Sequence, residues 1–369
     1  MTRRDLFQRL GCLAATAPAF TEFAMAQRAL AGRGWTKDTI WLNANENPEG
    51  FPPPVLAAMN DALATANRYH FPEFRDFYAA LARSVEMEPE QVLVGAGSGE
   101  VLHFTVDAFT SPTRPLIVPV PTYEGPVEVA TGLGARVLRV PLAAHYAADV
   151  KRLAEEAGKA GGGLIYLCNP NNPTSAITTR RDLDWLVSNL PPNTVLVVDE
   201  AYMHFVESLE FASAMPYVRQ GKDVIVTRTF SKLYGMAGLR IGFACARPEL
   251  IERLAPLRMG VVNIIGVRAV LAALAQTSLV DERRARMAKV RRDFCAWLRD
   301  KNLHYIEPHA NFVMIDTGRD VRELGQVIMD KGIAVGRPFP PLDRMLRVSF
   351  GTAQEMARFS EVFWQVLAA

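Results

Sequence analysis

Cysteine is scarce, and long apolar runs are missing. Four cysteines in 369 residues, with no CxxC and no His/Cys cluster, exclude a disulfide framework and a thiolate metal centre, and no metal is expected. Cys168 and Cys245 sit inside apolar runs, where a thiol behaves as a small core residue. No apolar run reaches the roughly 18 residues that a spanning helix needs, so no membrane-integrated domain is expected. An excess of one charge is missing too: 41 Lys and Arg stand against 39 Asp and Glu, a net +2 with the signs interspersed. That balance argues against a nucleic-acid groove or a basic membrane-binding face and leaves small molecules as the expected partners. What the chain has is 49% hydrophobic residues, over a length that suggests two domains at about 150 residues each. Such a chain can bury roughly three quarters of its surface and needs no metal or disulfide to hold its core.

The first 26 residues stand apart. Thr2-Arg3-Arg4-Asp5-Leu6-Phe7 is followed by a modestly apolar stretch from Leu10 to Phe20 and by Ala24-Met25-Ala26 before Gln27. Charged region, short apolar region and small-residue cleavage site occur in the order of a signal peptide, and the arginine pair resembles a twin-arginine (Tat) signal. Residues 1–26 are therefore expected to direct the protein to the periplasm. The alternative is an amphipathic N-terminal helix retained on a cytoplasmic protein.

After Gln27 the sequence is irregular and rich in Asn and Pro, and a helix is predicted from Val55 to Ala66, started by the prolines at 52–54. Strands are predicted at Gln91 to Val94, Leu116 to Val120, Arg136 to Val140, Leu164 to Cys168, Val195 to Val198, Val224 to Thr227 and Leu239 to Cys245. Continuous apolar runs without period-two alternation are what strands buried on both faces look like. Their alternation with helical patterns predicts an α/β fold with a mostly parallel, doubly wound sheet. Beyond about Leu250 come long helices (Ile264 to Gln276, Asp281 to Asp300), then Phe312 to Ile315, a helix near Arg322 to Lys331, Met345 to Ser349 and a closing helix. That texture reads as a second, smaller α/β domain.

In an open parallel sheet, ligands sit beyond the carboxyl ends of the strands. Val94 is followed there by Gly95-Ala96-Gly97-Ser98-Gly99-Glu100 and a helical stretch, whose backbone N–H groups suit a phosphate. Glu100 stands where a dinucleotide fingerprint would want a glycine. Val195 to Val198 runs into Asp199-Glu200-Ala201-Tyr202, an acid that could serve as metal ligand, salt-bridge partner or counter-charge to a cationic ring. Val224 to Thr227 leads to Lys232, between Ser231 and Gly235. A lysine at the end of a buried strand loses on the order of several kcal/mol of hydration unless a bond or a charge compensates it. Pyridoxal phosphate (PLP) requires such a lysine to bond to, an acid that keeps its ring nitrogen protonated, and an anion cradle. All three are present here.

The run Thr229-Phe-Ser-Lys-Leu-Tyr-Gly-Met-Ala-Gly-Leu-Arg-Ile-Gly242 closely resembles the PLP-lysine segment of class I/II aminotransferases of fold type I, in particular of histidinol-phosphate aminotransferase-like proteins. Asn45 to Pro48, Arg68-Tyr69, Gly97-Ser98, Pro121 to Tyr123, Asn169 to Thr174, Val198 to Tyr202, Asn311 to Val313 and Arg347 to Thr352 look like further blocks of that family in the family's order. The resemblance implies an arm at 27–52 that joins the small domain, a large PLP-binding domain at 53–262 and a small domain at 263–369. It assigns Lys232 as the lysine that holds the cofactor and moves a proton. Asp199 would pair with the ring nitrogen, Tyr202 and Asn172 would hydrogen-bond the ring oxygen, and Tyr123 would stack on the ring. Ser98, Gly99, Ser231 and Arg240 would hold the phosphate. Tyr69 would reach the cofactor of a neighbouring subunit, implying a homodimer. Arg347 would grip a substrate carboxylate, with Arg337 and Asn47 also on the substrate side.

Departures from the family's pattern bear on the substrate. Glu49 stands where tyrosine commonly follows Asn-Glu-Asn-Pro, Ser175 where glycine follows Asn-Pro-Thr, and Gly336 separates Val335 from Arg337. Arg337 and Arg347 are the cations expected to meet a phosphorylated substrate, and a carboxylate at Glu49 is expected to oppose it. The resemblance thus implies an aminotransferase taking a histidinol-phosphate-like or aromatic amino donor, with a 2-oxo acid such as 2-oxoglutarate as acceptor. The alternative is a PLP-dependent decarboxylase of a phosphorylated amino acid on the same fold. A non-catalytic binding protein is disfavoured by the retained Lys232, Asp199 and Arg240.

Overall fold

The computed structural model describes residues 36–368, and both the expected signal segment at 1–26 and residues 27–35 of the arm lie outside them. Contacts divide the chain after Thr39, and the unit from Ile40 onward carries the whole of the site. It opens with a short strand, β1 (Ile40–Leu42), and then builds a seven-stranded sheet. The strands are β2 (Val92–Gly95), β3 (Leu116–Val120), β4 (Val137–Pro141), β5 (Gly163–Cys168), β6 (Thr194–Asp199), β7 (Val224–Thr229) and β8 (Gly242–Cys245), in the order β2-β8-β7-β6-β5-β3-β4. From β7 through β4 all neighbours are parallel, and β8 alone runs antiparallel to both its partners.

Every residue of β5 and β6 is buried. Their side chains divide between two apolar cores, Val195 and Val197 into one and Leu196 and Val198 into the other, so the sheet is covered on both faces. The covering helices follow from local chemistry. In Val150–Lys159, Asp149 caps the first turn by accepting from Arg152 N at 3.0 Å, and Val150, Leu153, Ala154 and Ala157 form the buried stripe.

The expected strand from Leu239 begins only at Gly242. Residues 237–239 form a 3-10 turn and Arg240 adopts φ +55, a bend that carries the arginine out of the extended path. The remaining strands are β9 (Tyr305–Ile306), β10 (Phe312–Asp316), β11 (Ile333–Val335) and β12 (Met345–Ser349). β10 pairs antiparallel with β9 and β12, while β11 pairs in parallel with β1, within the arm. β1, β9 and β11 are too short to show any alternation in the sequence. The helix Ile264–Leu274 packs against Pro53–Leu63 and Phe71–Ser84. Among the described residues, no single helix is long and apolar enough to cross a membrane.

Candidate active site

Asp199 ends β6, and the sheet register sets its surroundings: Cys168 lies beside it on β5 and Thr227 on β7. Side chains two residues apart on a strand share a face, so Tyr166 points the same way as Cys168. The Tyr166 hydroxyl donates to Asp199 Oδ2 at 3.0 Å, and Thr227 Oγ1 donates to Oδ1 at 3.0 Å. Burial pushes the carboxyl up from 3.8 to about 6, against the pull of those two hydroxyls and of the Ala201 backbone N–H. A cation placed beside it would restore its charge.

Lys232 follows the end of β7. Its Nζ donates to the Ala44 carbonyl at 3.1 Å and lies 5.7 Å from the centroid of the Tyr202 ring. The turn behind it is pinned at the Leu233 carbonyl, which accepts from Asn47 Nδ2 at 2.7 Å and from the buried Arg283 Nη1 at 3.0 Å. Asn47, expected on the substrate side, thus has its amide nitrogen on the lysine's loop, and its oxygen accepts from Glu49 N at 3.0 Å.

At the end of β2 the chain turns through Gly97 at φ +83, a conformation that favours glycine, into the helix Ser98–Phe109. A Cβ on Gly97 would stand 2.6 Å from Arg240 Nη2, and one on Gly242 would stand 2.1 Å from Ser98 N. Glycine at both positions lets the Arg240 guanidinium and β8 close on the first N–H groups of that helix, including those of Ser98 and Gly99. Ser231 joins the same region: its Oγ accepts from Thr229 Oγ1 at 2.9 Å and its N donates to that oxygen at 3.1 Å. Glu100 accepts from Ala96 N at 2.6 Å and so braces the turn.

Arg347, central in β12, is buried. Its Nη1 donates to Asn172 Oδ1 at 2.7 Å and its Nη2 to the Asn43 carbonyl, while its Nε has no hydrogen-bond partner. Burial lowers its pKa to about 10. A Cβ on Gly336 would stand 3.2 Å from that Nε. Tyr202 receives Asn45 Nδ2 on its hydroxyl at 3.0 Å, and burial raises its pKa although Arg347 opposes the rise. Asn45 is fixed in turn, its Oδ1 accepting from Ser349 Oγ at 2.9 Å and its carbonyl from Asn311 Nδ2 at 3.0 Å. Tyr123 is half-buried and lies against Gly125, where a Cβ would stand 2.7 Å from its ring.

Two placements differ from a simple reading of the sequence, those of Arg337 and Glu49. Tyr69 is 71% exposed, stacked on the 63% exposed Phe71, and outside this chain's own site. Arg337 is ion-paired with Glu124, which directly follows Tyr123. Glu49 corrects the expectation that it faces the substrate. Arg286 grips both its carboxylate oxygens at 2.8 Å, and Arg283 Nε lies 3.5 Å away, so its charge is taken up on the helix Leu279–Asp300. Tyr166, Thr227 and Asn45 are the functional neighbours that sequence reasoning missed.

Among the described residues, no three His, Cys, Asp or Glu side chains gather as a metal centre requires. PLP fits the set instead. The strand-tip acid needs a cation, the Gly97–Arg240 region offers N–H groups and a guanidinium to an anion, and Lys232 follows the strand that pairs with the acid's own.

The family model for aminotransferase class I and II matches residues 37–363. Histidinol-phosphate aminotransferase of Symbiobacterium thermophilum is 36% identical over 327 residues, which span 88% of this chain and 89% of that one. The enzyme of the same name from Moorella thermoacetica is 32% identical, over 90% and 86% of the two chains. Among solved structures, histidinol-phosphate aminotransferase from Sinorhizobium meliloti in complex with pyridoxal-5'-phosphate superposes with a TM-score of 0.86 at 28% identity. The overlap covers 96% of this chain and 99% of that one.

Proposed function

This chain belongs to the class I and II aminotransferases and is a PLP-dependent enzyme, and from that premise we propose that it moves an amino group from an aromatic or histidinol-phosphate-like donor to a 2-oxo acid such as 2-oxoglutarate. The observation that carries the reading is that the buried Asp199 ends β6, Lys232 follows β7 and the Gly97 turn with Arg240 against it follows β2, all at the carboxyl ends of strands of one sheet.

PLP, when bound, supplies an electron-withdrawing ring that draws charge from the substrate's α-carbon. The chain's own groups do the rest. Lys232 Nζ would hold the cofactor and is the amine placed to move a proton at the substrate's α-carbon. Asp199 would pair with the ring nitrogen and favour its protonated form, and Tyr166 and Thr227 fix its carboxylate. Tyr202 and Asn172 would orient the ring oxygen, and Tyr123 would stack on the ring. The N–H groups of Ser98 and Gly99, with Ser231 and Arg240, would hold the phosphate. Arg347 would take the substrate carboxylate through its guanidinium.

A homodimer belongs to the same reading: the exposed, stacked Tyr69 and Phe71 suit a second copy, whose site would receive the Tyr69 hydroxyl. So does export to the periplasm, supported by the arginine pair at Arg3 and Arg4. The test is a panel of amino donors, aromatic amino acids and histidinol phosphate among them, incubated with 2-oxoglutarate and assayed for the new 2-oxo compound, glutamate and carbon dioxide. Amino transfer to 2-oxoglutarate is expected. Carbon dioxide release in its place, or no transfer from any donor, overturns the proposal.

A further inference from the structure

The surroundings of Arg337 carry an inference about substrate choice, resting on the aminotransferase reading above. Arg337 and Arg347 both lie against the ring of Phe339, their guanidinium carbons 4.0 and 4.7 Å from its centroid. Phe339 is fully buried, so both cations belong to one compact region of the site. Arg337 is already committed: Nη1 donates to the Pro338 carbonyl at 2.9 Å, and Nη2 pairs with Glu124 Oε2. Glu124 is at the start of the helix Gly125–Gly132, immediately after Tyr123, so it borders the ring-stacking position. Glu128 lies one turn further on. Its carboxyl is held above the usual range by burial first and by Glu124 next, with Arg337 opposing the rise. Glu124 and Arg337 also both act on Arg347, in opposite directions. Two arginines are thus balanced by two carboxylates, and one of the arginines is directly capped.

We infer that Glu124 is a specificity-determining residue: by occupying Arg337 it keeps this end of the site near electrical neutrality and favours amino donors with an uncharged side chain over donors that carry a phosphate. A phosphate dianion seeking Arg337 must displace Glu124 and then lie beside two carboxylates, and like charges at such range repel even with solvent present. An aromatic side chain requires no such displacement. Glu124 thus supplies the opposing charge that Glu49, neutralised by Arg286, does not.

The two halves of the ion pair give opposite tests. The quantity read is the ratio of kcat/KM for histidinol phosphate to that for phenylalanine, measured on the unmodified holoenzyme and on Glu124→Gln and Arg337→Gln. Glu124→Gln removes the competing charge and is expected to raise the ratio at least about tenfold, through a lower KM for the phosphorylated donor. Arg337→Gln leaves Glu124 uncompensated and is expected to lower the ratio. A purely structural role for the pair would move both variants the same way. That result, an unchanged ratio in Glu124→Gln, or a preference of the unmodified enzyme for histidinol phosphate by orders of magnitude overturns the inference. Absence of amino transfer from both donors in the unmodified enzyme overturns the underlying functional reading instead.

Discussion

Replacing Asp199 with asparagine tests the electrostatic core of the site, and the structure gives the size of the effect. In the cofactor-stripped protein the buried carboxyl keeps its proton up to about pH 6, whereas the same group in the unfolded chain releases it near 3.8. Between those values the folded state binds more protons than the unfolded one, so stability falls as the pH rises through the window. Moving from 3.8 to about 6 corresponds to about 3 kcal/mol at roughly 1.4 kcal/mol per tenfold change in acidity. This contribution is fully present below pH 3.8 and gone above about pH 6. The asparagine side chain does not titrate, so the Asp199→Asn variant should lie close to the unmodified protein at about pH 4. Above about pH 6 it should become relatively more stable, by up to about 3 kcal/mol less what imperfect bonds to Tyr166 and Thr227 cost. Urea unfolding of both stripped proteins from about pH 4 to 8 reads this difference directly. Adding PLP should reverse the order at about pH 7.5, because only the carboxylate gains from a ring cation. Breaking a buried charge pair costs about 3–5 kcal/mol, which as a barrier is on the order of a hundredfold or more in kcat. A stability difference flat with pH, or equal gains from PLP in both proteins, would refute the assignment of Asp199 as the counter-charge.

Other outcomes follow from the same geometry. Lys232→Ala should abolish amino transfer and the visible absorption of lysine-bound cofactor while leaving the circular dichroism spectrum intact; full activity would sink the mechanism. Gly242→Ala forces a methyl to within 2.1 Å of Ser98 N and should cost about 1–3 kcal/mol in stability and weaken PLP binding, read by equilibrium dialysis. Unchanged PLP affinity there would separate β8 from the phosphate cradle. For export, Arg3→Lys with Arg4→Lys should trap an uncleaved precursor in the cytoplasm. Finding the unmodified protein only in the cytoplasm, with Met1 or Thr2 at its N-terminus, would count against a Tat-like signal.

Asp199, Lys232 and Gly97 were legible in the sequence because each follows a continuous apolar run, and such runs mark where a doubly wound sheet presents its ligand. Their partners were not. Tyr166 and Thr227 lie inside runs that read as plain core, and only the register of β5, β6 and β7 turns their hydroxyls onto the acid. Glu49 and Glu124 show the same limit for charge. Both are carboxylates near family blocks, but whether each is neutralised, and by which arginine, depends on residues more than two hundred positions away. β1, β9 and β11 escaped because a strand of two or three residues has no period to detect.

The arm has a consequence for the order in which the protein is made. Ala44 meets Lys232, Asn45 meets Tyr202, and Asn43 meets Arg347, while Asn45 is itself held by Ser349 across 304 positions of chain. Asp199, Lys232 and the turn at Gly97 belong to elements between β2 and β8 and can assemble as synthesis proceeds. The arm is made early, and although Ala44 and Asn45 can meet Lys232 and Tyr202 once β7 and the turn after it exist, its bonds to Asn311, Arg347 and Ser349 wait for β10 and β12, near the end of the chain. Loop closure over that distance comes late. A ribosome-tethered chain ending before Met345 would therefore present Lys232 and the turn at Gly97 with residues 43–45 only partly held, and the full clamp would be a property of the finished chain.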